Sequence, residues 1–152
     1  MTSAETAAAA GPDGALCDAL ATEYGVIYGY GIVSAHVPPD LNKTVSDAIH
    51  EHRERRDRVI TMLAARSVNA PVAAAGYQPP IPVDNDTDAA QLAVRMEDDT
   101  AVAWRAVAEQ ADTDADREFA VQALSQSAVL AARWNRVLGR WPITRAFPGG
   151  DD

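Results

Sequence analysis

The stretch that decides the fold is VNAPVAAAGYQPPIPVDN, residues 68–85. It carries Pro71, Pro79, Pro80 and Pro82. Proline fixes φ and lacks an N–H, so this stretch cannot continue a helix. It reads as an extended, partly polyproline connection, stiff enough to span a domain. On both sides lie long alanine-rich segments without internal proline. The chain has 31 alanines in 152 residues, and alanine has the highest helix propensity.

Working outward, each flank divides once. Upstream, Pro38-Pro39 separates a helix from about Asp13 to His36 from a second, about Leu41 to Ser67. Asp13 and Asp40 are the expected N-caps. Downstream, Asp86 or Thr87 caps a third helix ending near Asp112. Thr113 or Asp114 caps a fourth, which Gly139 ends. Two helical hairpins with short turns, joined by a long crossover, predict an all-α, ferritin-like four-helix bundle. Residues 1–12 read as a flexible tail and 13–149 as one domain. Trp141, Ile143 and Phe147 are apolar, so the C-terminal stretch is expected to pack on the bundle.

The net charge is −9. That opposes nucleic acid and anionic membrane as partners. The uncharged run Tyr24–Val37 is shorter than the roughly 20 residues of a membrane span, so it reads as a buried helix face. A single cysteine, Cys17, allows no internal disulfide, and residues 1–12 have no basic leader pattern. Both readings predict a cytoplasmic protein. Asp18 and Glu23 beside Cys17 disfavour a thiolate nucleophile. Arg53–Arg58 is interleaved with Glu54 and Asp57, as expected of a solvated helix face with i,i+4 pairs. We expect self-association into a homo-oligomer.

A di-metal bundle needs Glu-x-x-His on two helices, because that spacing aims carboxylate and imidazole at one metal pair. No glutamate here is followed three residues later by histidine. The three histidines, His36, His50 and His52, all lie in the first half. Antiparallel hairpins place Glu23 level with about Glu54 and Asp99 level with about Ser127. The middle layer then holds Glu23, the His52–Arg56 turn, the Glu97–Asp99 turn and Ser125–Ser127. Apolar stripes flank it: Leu16, Leu20 and Ile27; Val45, Ile49 and Val59; Leu92, Met96 and Ala103. Buried charges persist only when paired. The expectation is an ion network of Glu23, His52, Arg55 or Arg56, and Asp99 in place of a metal site.

Gly25 and Gly29 share an i,i+4 stripe with Ala21. Each glycine costs about 1 kcal/mol in a helix, so close approach by a neighbouring helix is expected to compensate. The alternative is space for a ligand beside Tyr24, Tyr28 and Tyr30.

One further pattern carries a resemblance. Glu23-Tyr24 with Tyr28-Gly29-Tyr30-Gly31 precedes Glu51-His52-Arg53 and Arg55-Arg56-Asp57. The Tyr77–Val83 proline segment, Met96-Glu97-Asp98, Arg133-Trp134 and Ala146-Phe147-Pro148-Gly149 follow. As a set these resemble a family of uncharacterised bacterial ferritin-like domains. The resemblance implies the fold and no established activity. Ferritin relatives with intact ligands oxidise iron or activate oxygen, and this sequence departs from them at the Glu-x-x-His positions. The reading is therefore a non-enzymatic binding or interaction module without metal or other cofactor. Its candidate ligand-binding residues are Glu23, Tyr28, His52, Arg56 and Asp99. The rivals are a degenerate metal-dependent oxidoreductase using Glu23, His52 and Asp99 or Glu97, and a small-ligand binder whose pocket the proline crossover covers.

Overall fold

Four helices account for most of residues 11–150, the part of the chain that the computed structural model describes. They are α1 (Gly11–Ser34), α2 (Asn42–Ala65), α3 (Asp86–Gln110) and α4 (Asp114–Leu138). Among the described residues there is no strand. The expected tail at 1–12 falls almost entirely outside them.

Local chemistry sets the helix ends. Asn85 caps α3, its side chain accepting from the Asp88 N–H at 2.8 Å. Asp88 in turn accepts from the Asp84 N–H at 3.1 Å. Asp86 and Thr87, the expected caps, lie just inside the helix. Thr113 caps α4, accepting from Asp116 N–H at 3.1 Å. Acidic residues in both first turns complement the helix dipoles. Gly139 closes α4 in the left-handed region at φ 67°, with Arg140 N–H donating to the Asn135 carbonyl.

Two upstream caps differ from expectation. Asp40 sits in a 3-10 turn, Pro39–Leu41, and α2 begins after Leu41 without a side-chain cap. Asp13 lies within α1, where its carboxylate faces Arg66 at 3.3 Å. Turn hydrogen bonds to Ile32 and Val33 end α1 at Ser34, two residues early.

Side-chain pairs fix the topology. Tyr30 meets Glu97 while Glu23 meets Trp104, so α1 and α3 run antiparallel. Arg55 meets Ser127 while Arg66 meets Asp116, so α2 and α4 do too. The α2 and α3 diagonal is therefore parallel, which only a crossover the length of the bundle can supply. Val68 and Ala70 of that crossover pack on the apolar cluster at one end, around Leu16, Leu63 and Trp104. Ile81 and Val83 pack on the cluster at the other end, around Val33, Val45 and Trp134.

The C-terminal stretch corrects one expectation. It follows the bundle, but Trp141 is 79% and Phe147 70% exposed. Polar anchors hold it instead. Arg145 pairs with Asp98 at 3.2 Å, Asn135 donates to the Ile143 carbonyl, and Arg105 donates to that of Gly149. No helix among the described residues is long and apolar enough to cross a membrane.

Candidate functional site

Between the two apolar clusters lies a polar layer: Glu23, His52, Arg55, Glu97 and Ser127, all buried. Each of the four helices contributes. Glu23 comes from α1, His52 and Arg55 (i, i+3) from one face of α2, Glu97 from α3 and Ser127 from α4.

His52 is the centre. Its Nδ1 lies 2.5 Å from Oε2 of Glu23, and its Nε2 lies 2.9 Å from Oε1 of Glu97. An ionised carboxylate only accepts, so both ring nitrogens must donate and the ring is an imidazolium. Burial lowers the His52 pKa, but the charge of Glu97 and the hydrogen bonds to Glu23 and Glu97 outweigh it and raise it to about 9. Burial alone would likewise raise the Glu23 pKa. The hydrogen bond and charge of His52, the Arg55 charge and the Trp104 hydrogen bond hold it below its ordinary value.

Arg55 completes the charge balance. Its Nη1 donates to Ser127 Oγ at 2.9 Å and to Glu23 Oε1 at 3.4 Å. Its Nε and Nη2 reach the Gln126 amide oxygen at 3.3 and 3.2 Å. Two buried carboxylates thus face two buried cations, and the half-buried Glu51 lies 3.6 Å from Arg55 Nη2 at the edge of the layer.

Aromatic donors close the ends. Trp104 donates to Glu23 Oε1 at 2.8 Å. Tyr30 donates to Glu97 Oε1 at 2.6 Å, and Trp134 donates to the Tyr30 oxygen at 3.0 Å. Burial and then Glu97 push the Tyr30 phenol well above its ordinary pKa of 10.0. The pattern is reciprocal. Tyr30 lies seven residues after Glu23 and bonds Glu97; Trp104 lies seven after Glu97 and bonds Glu23. Seven residues is two helical turns, so each glutamate and its aromatic share a face. This i,i+7 relation was present in the sequence.

The expected site residues divide into three places. Glu23 and His52 meet in the buried layer. Asp99 does not join them: it is exposed, with both oxygens 3.1 Å from Arg95 Nε, and Glu97 is the inward carboxylate of α3. Arg56 is also outside the layer, its Nε on Asp57 at 2.8 Å, and Arg55 is the inward arginine. Tyr28 lines a cleft of about 220 Å³ between α1, α3 and the crossover, with Tyr77 and Met96. Asp99 lies at the same cleft; Tyr24 and Arg56 do not.

The glycine stripe serves side chains rather than a neighbouring backbone, another departure from expectation. A Cβ on Gly29 would come 2.1 Å from Met96 Sδ, and one on Gly25 would meet only the Tyr77 ring, at 3.8 Å. Cys17 is half-buried; burial, then Asp13 and Asp18, raises its pKa.

The donor set does not fit a di-metal centre. One imidazole is present, and both its nitrogens are taken. The fourth helix offers a hydroxyl and an amide, and a guanidinium faces Glu23. Among the described residues no three His, Cys, Asp or Glu side chains converge on a cation position.

Comparison with known proteins places this architecture. Residues 15–152 match a domain of unknown function, DUF4439. The chain belongs to the DUF4439 family. The DUF4439 chain is also similar to a conserved hypothetical protein, rv2844, from Mycobacterium tuberculosis, whose crystal structure is solved. The identity is 63%, with a TM-score of 0.82, over 83% of this chain and 96% of that one. No curated protein matches it.

Proposed function

We propose that the chain is a non-enzymatic binding module on a ferritin-like bundle whose centre is closed by a protein-only ion network. The observation that carries this reading is the His52 imidazolium held between Glu23 and Glu97. It lies where a ferritin-like bundle with intact ligands keeps its metals, among carboxylates contributed by facing helices. The crossover and the antiparallel α1–α3 pair support the ferritin-like assignment. The exposed Trp141 and Phe147 support self-association, and the charge of −9 supports partners other than nucleic acid or anionic membrane. The lone, half-buried Cys17 supports a cytoplasmic location.

A second reading, metal-dependent oxidation at the bundle centre, draws on one observation. Oε2 of Glu97 is buried without a hydrogen-bond partner. Elemental analysis separates the two. Protein purified without chelator and then given ferrous iron or manganese should retain no stoichiometric metal after desalting. Near-stoichiometric metal that disappears in Glu23→Ala would establish the second reading instead.

A further inference from the structure

The cleft beneath the crossover is distinct from the ion network and has the character of a ligand site. It is lined by Tyr28 and Tyr77, Pro79 and Pro80, Met96 and Gly25. We propose that this cleft binds a small planar aromatic molecule, neutral and of about two fused rings, with one hydroxyl or ring N–H. The inference rests on the binding-module reading and names the ligand class for it.

Size sets the first limit. Apolar cavities of about 150 Å³ accept benzene, and drug-sized ligands take about 300 Å³ or more. A volume of about 220 Å³ lies between them. Shape sets the second. The two tyrosine rings are 5.6 Å apart and tilted by 56°, too close to admit a group between them. They form one folded aromatic wall, against which a flat ring packs edge-on or offset.

Charge sets the third. Among the described residues the only ionic group lining the cleft is Asp99, and Arg95 donates to both its oxygens. An anionic ligand would meet no cation in this lining, and a cationic one only a carboxylate already paired with Arg95. Neutral polar partners do exist, in the Tyr28 hydroxyl and the Gln78 amide.

Gly25 supplies an independent reason. Glycine weakens a helix interior relative to alanine, and that cost is normally offset by a close neighbour. Gly29 has one in Met96. Gly25 has none, because its Cβ would meet Tyr77 at ordinary contact distance. Gly25 lines the cleft, and a larger side chain there would take up part of its open space.

The test uses the full chain with methyl-labelled methionine. Indole and 2-naphthol are titrated in, and cyclohexanol serves as a non-aromatic control of similar polarity. The Met96 methyl resonance should shift saturably with both aromatics and not with cyclohexanol, while that of Met62 stays still. Gly25→Leu, which takes up part of the cleft, should weaken binding by at least about tenfold. Tyr28 is 43% exposed, so Tyr28→Ala should fold normally and also weaken it. Gly25→Ala should raise Tm while weakening binding. An unmoved Met96 signal, an equal response to cyclohexanol, or undiminished binding in Tyr28→Ala would overturn the proposal. None of these outcomes depends on metal content, so the binding-module reading stands or falls separately.

Discussion

Oε2 of Glu23 lies 2.5 Å from Nδ1 of His52, and neither side chain has any exposed surface. Glu23 also accepts from Trp104 and faces Arg55, so one carboxylate serves three donors. Removing it leaves His52 with Glu97, and Arg55 with only the more distant Glu51 at 3.6 Å. Breaking a buried pair in this way costs about 3–5 kcal/mol. Glu23→Ala should therefore lose stability of that order in urea denaturation followed by circular dichroism. A loss below about 0.5 kcal/mol would mean that the network adds nothing there.

Stability should depend on pH on both sides. His52 is raised from 6.5 to about 9 on folding. Its contribution is fully present below 6.5 and disappears as pH rises through 9. Glu23 is lowered from 4.5, so its contribution is present above 4.5 and disappears as pH falls through the folded value. The maximum then lies between 4.5 and 6.5. The alkaline limb should remove roughly 3 kcal/mol by pH 9 and above, from one buried titration. The nitrogen-15 shifts of His52 provide a direct check. They should remain those of an imidazolium at pH 8, and neutral-ring shifts at that pH would refute the assignment.

Arg55 and Arg56 are adjacent in sequence and opposite in role. Arg55 spends its fork on Glu23, Gln126 and Ser127, whereas Arg56 pairs with Asp57 at the surface. Arg55→Lys keeps the charge and loses the fork, so it should destabilise by about 1–3 kcal/mol. Arg56→Lys should stay within about 0.5 kcal/mol of the parent. Thermal melts of the two variants compare them directly. Equal melting temperatures would show that the geometry of the inner arginine is immaterial.

Most of the scaffold was legible because the prolines and the Thr113 and Gly139 caps are local signals. The crossover at 68–85 and Gly139 needed no knowledge of packing. The polar layer was legible in level but not in angle. Its third-helix member was expected at Asp99, between Met96 and Ala103 on the stripe read from the sequence. Glu97, however, lies four residues after Ala93 and seven before Trp104, on the buried stripe, while Asp99 faces solvent beside Arg95. Two residues along a helix is about 200° around it, so a small error in stripe assignment reverses inside and outside. Trp141 and Phe147 failed for a different reason. Hydrophobicity predicts burial only on average, and here arginine anchors fix the tail with its rings outward.

The glycines of α1 give a paired prediction with opposite signs. Beyond its own stretch of helix backbone, Gly31 has no heavy atom within 4 Å of its Cβ position. Alanine there gains helix propensity at no steric cost, so Gly31→Ala should raise stability by about 0.5–1 kcal/mol. Gly29 is the reverse case. Its Cβ position lies 2.1 Å from the sulfur of Met96, a side chain only 5% exposed and packed against α1. Met96 must leave its rotamer to admit a methyl group, and such overpacking costs about 1–3 kcal/mol. Gly29→Ala should accordingly lower stability despite its better propensity. Gly29→Ala should cost less when Met96 is already alanine, because the methyl group then occupies the space the sulfur vacates. A double-mutant cycle in urea measures that coupling, and strict additivity would show that the Gly29–Met96 contact does not explain the glycine.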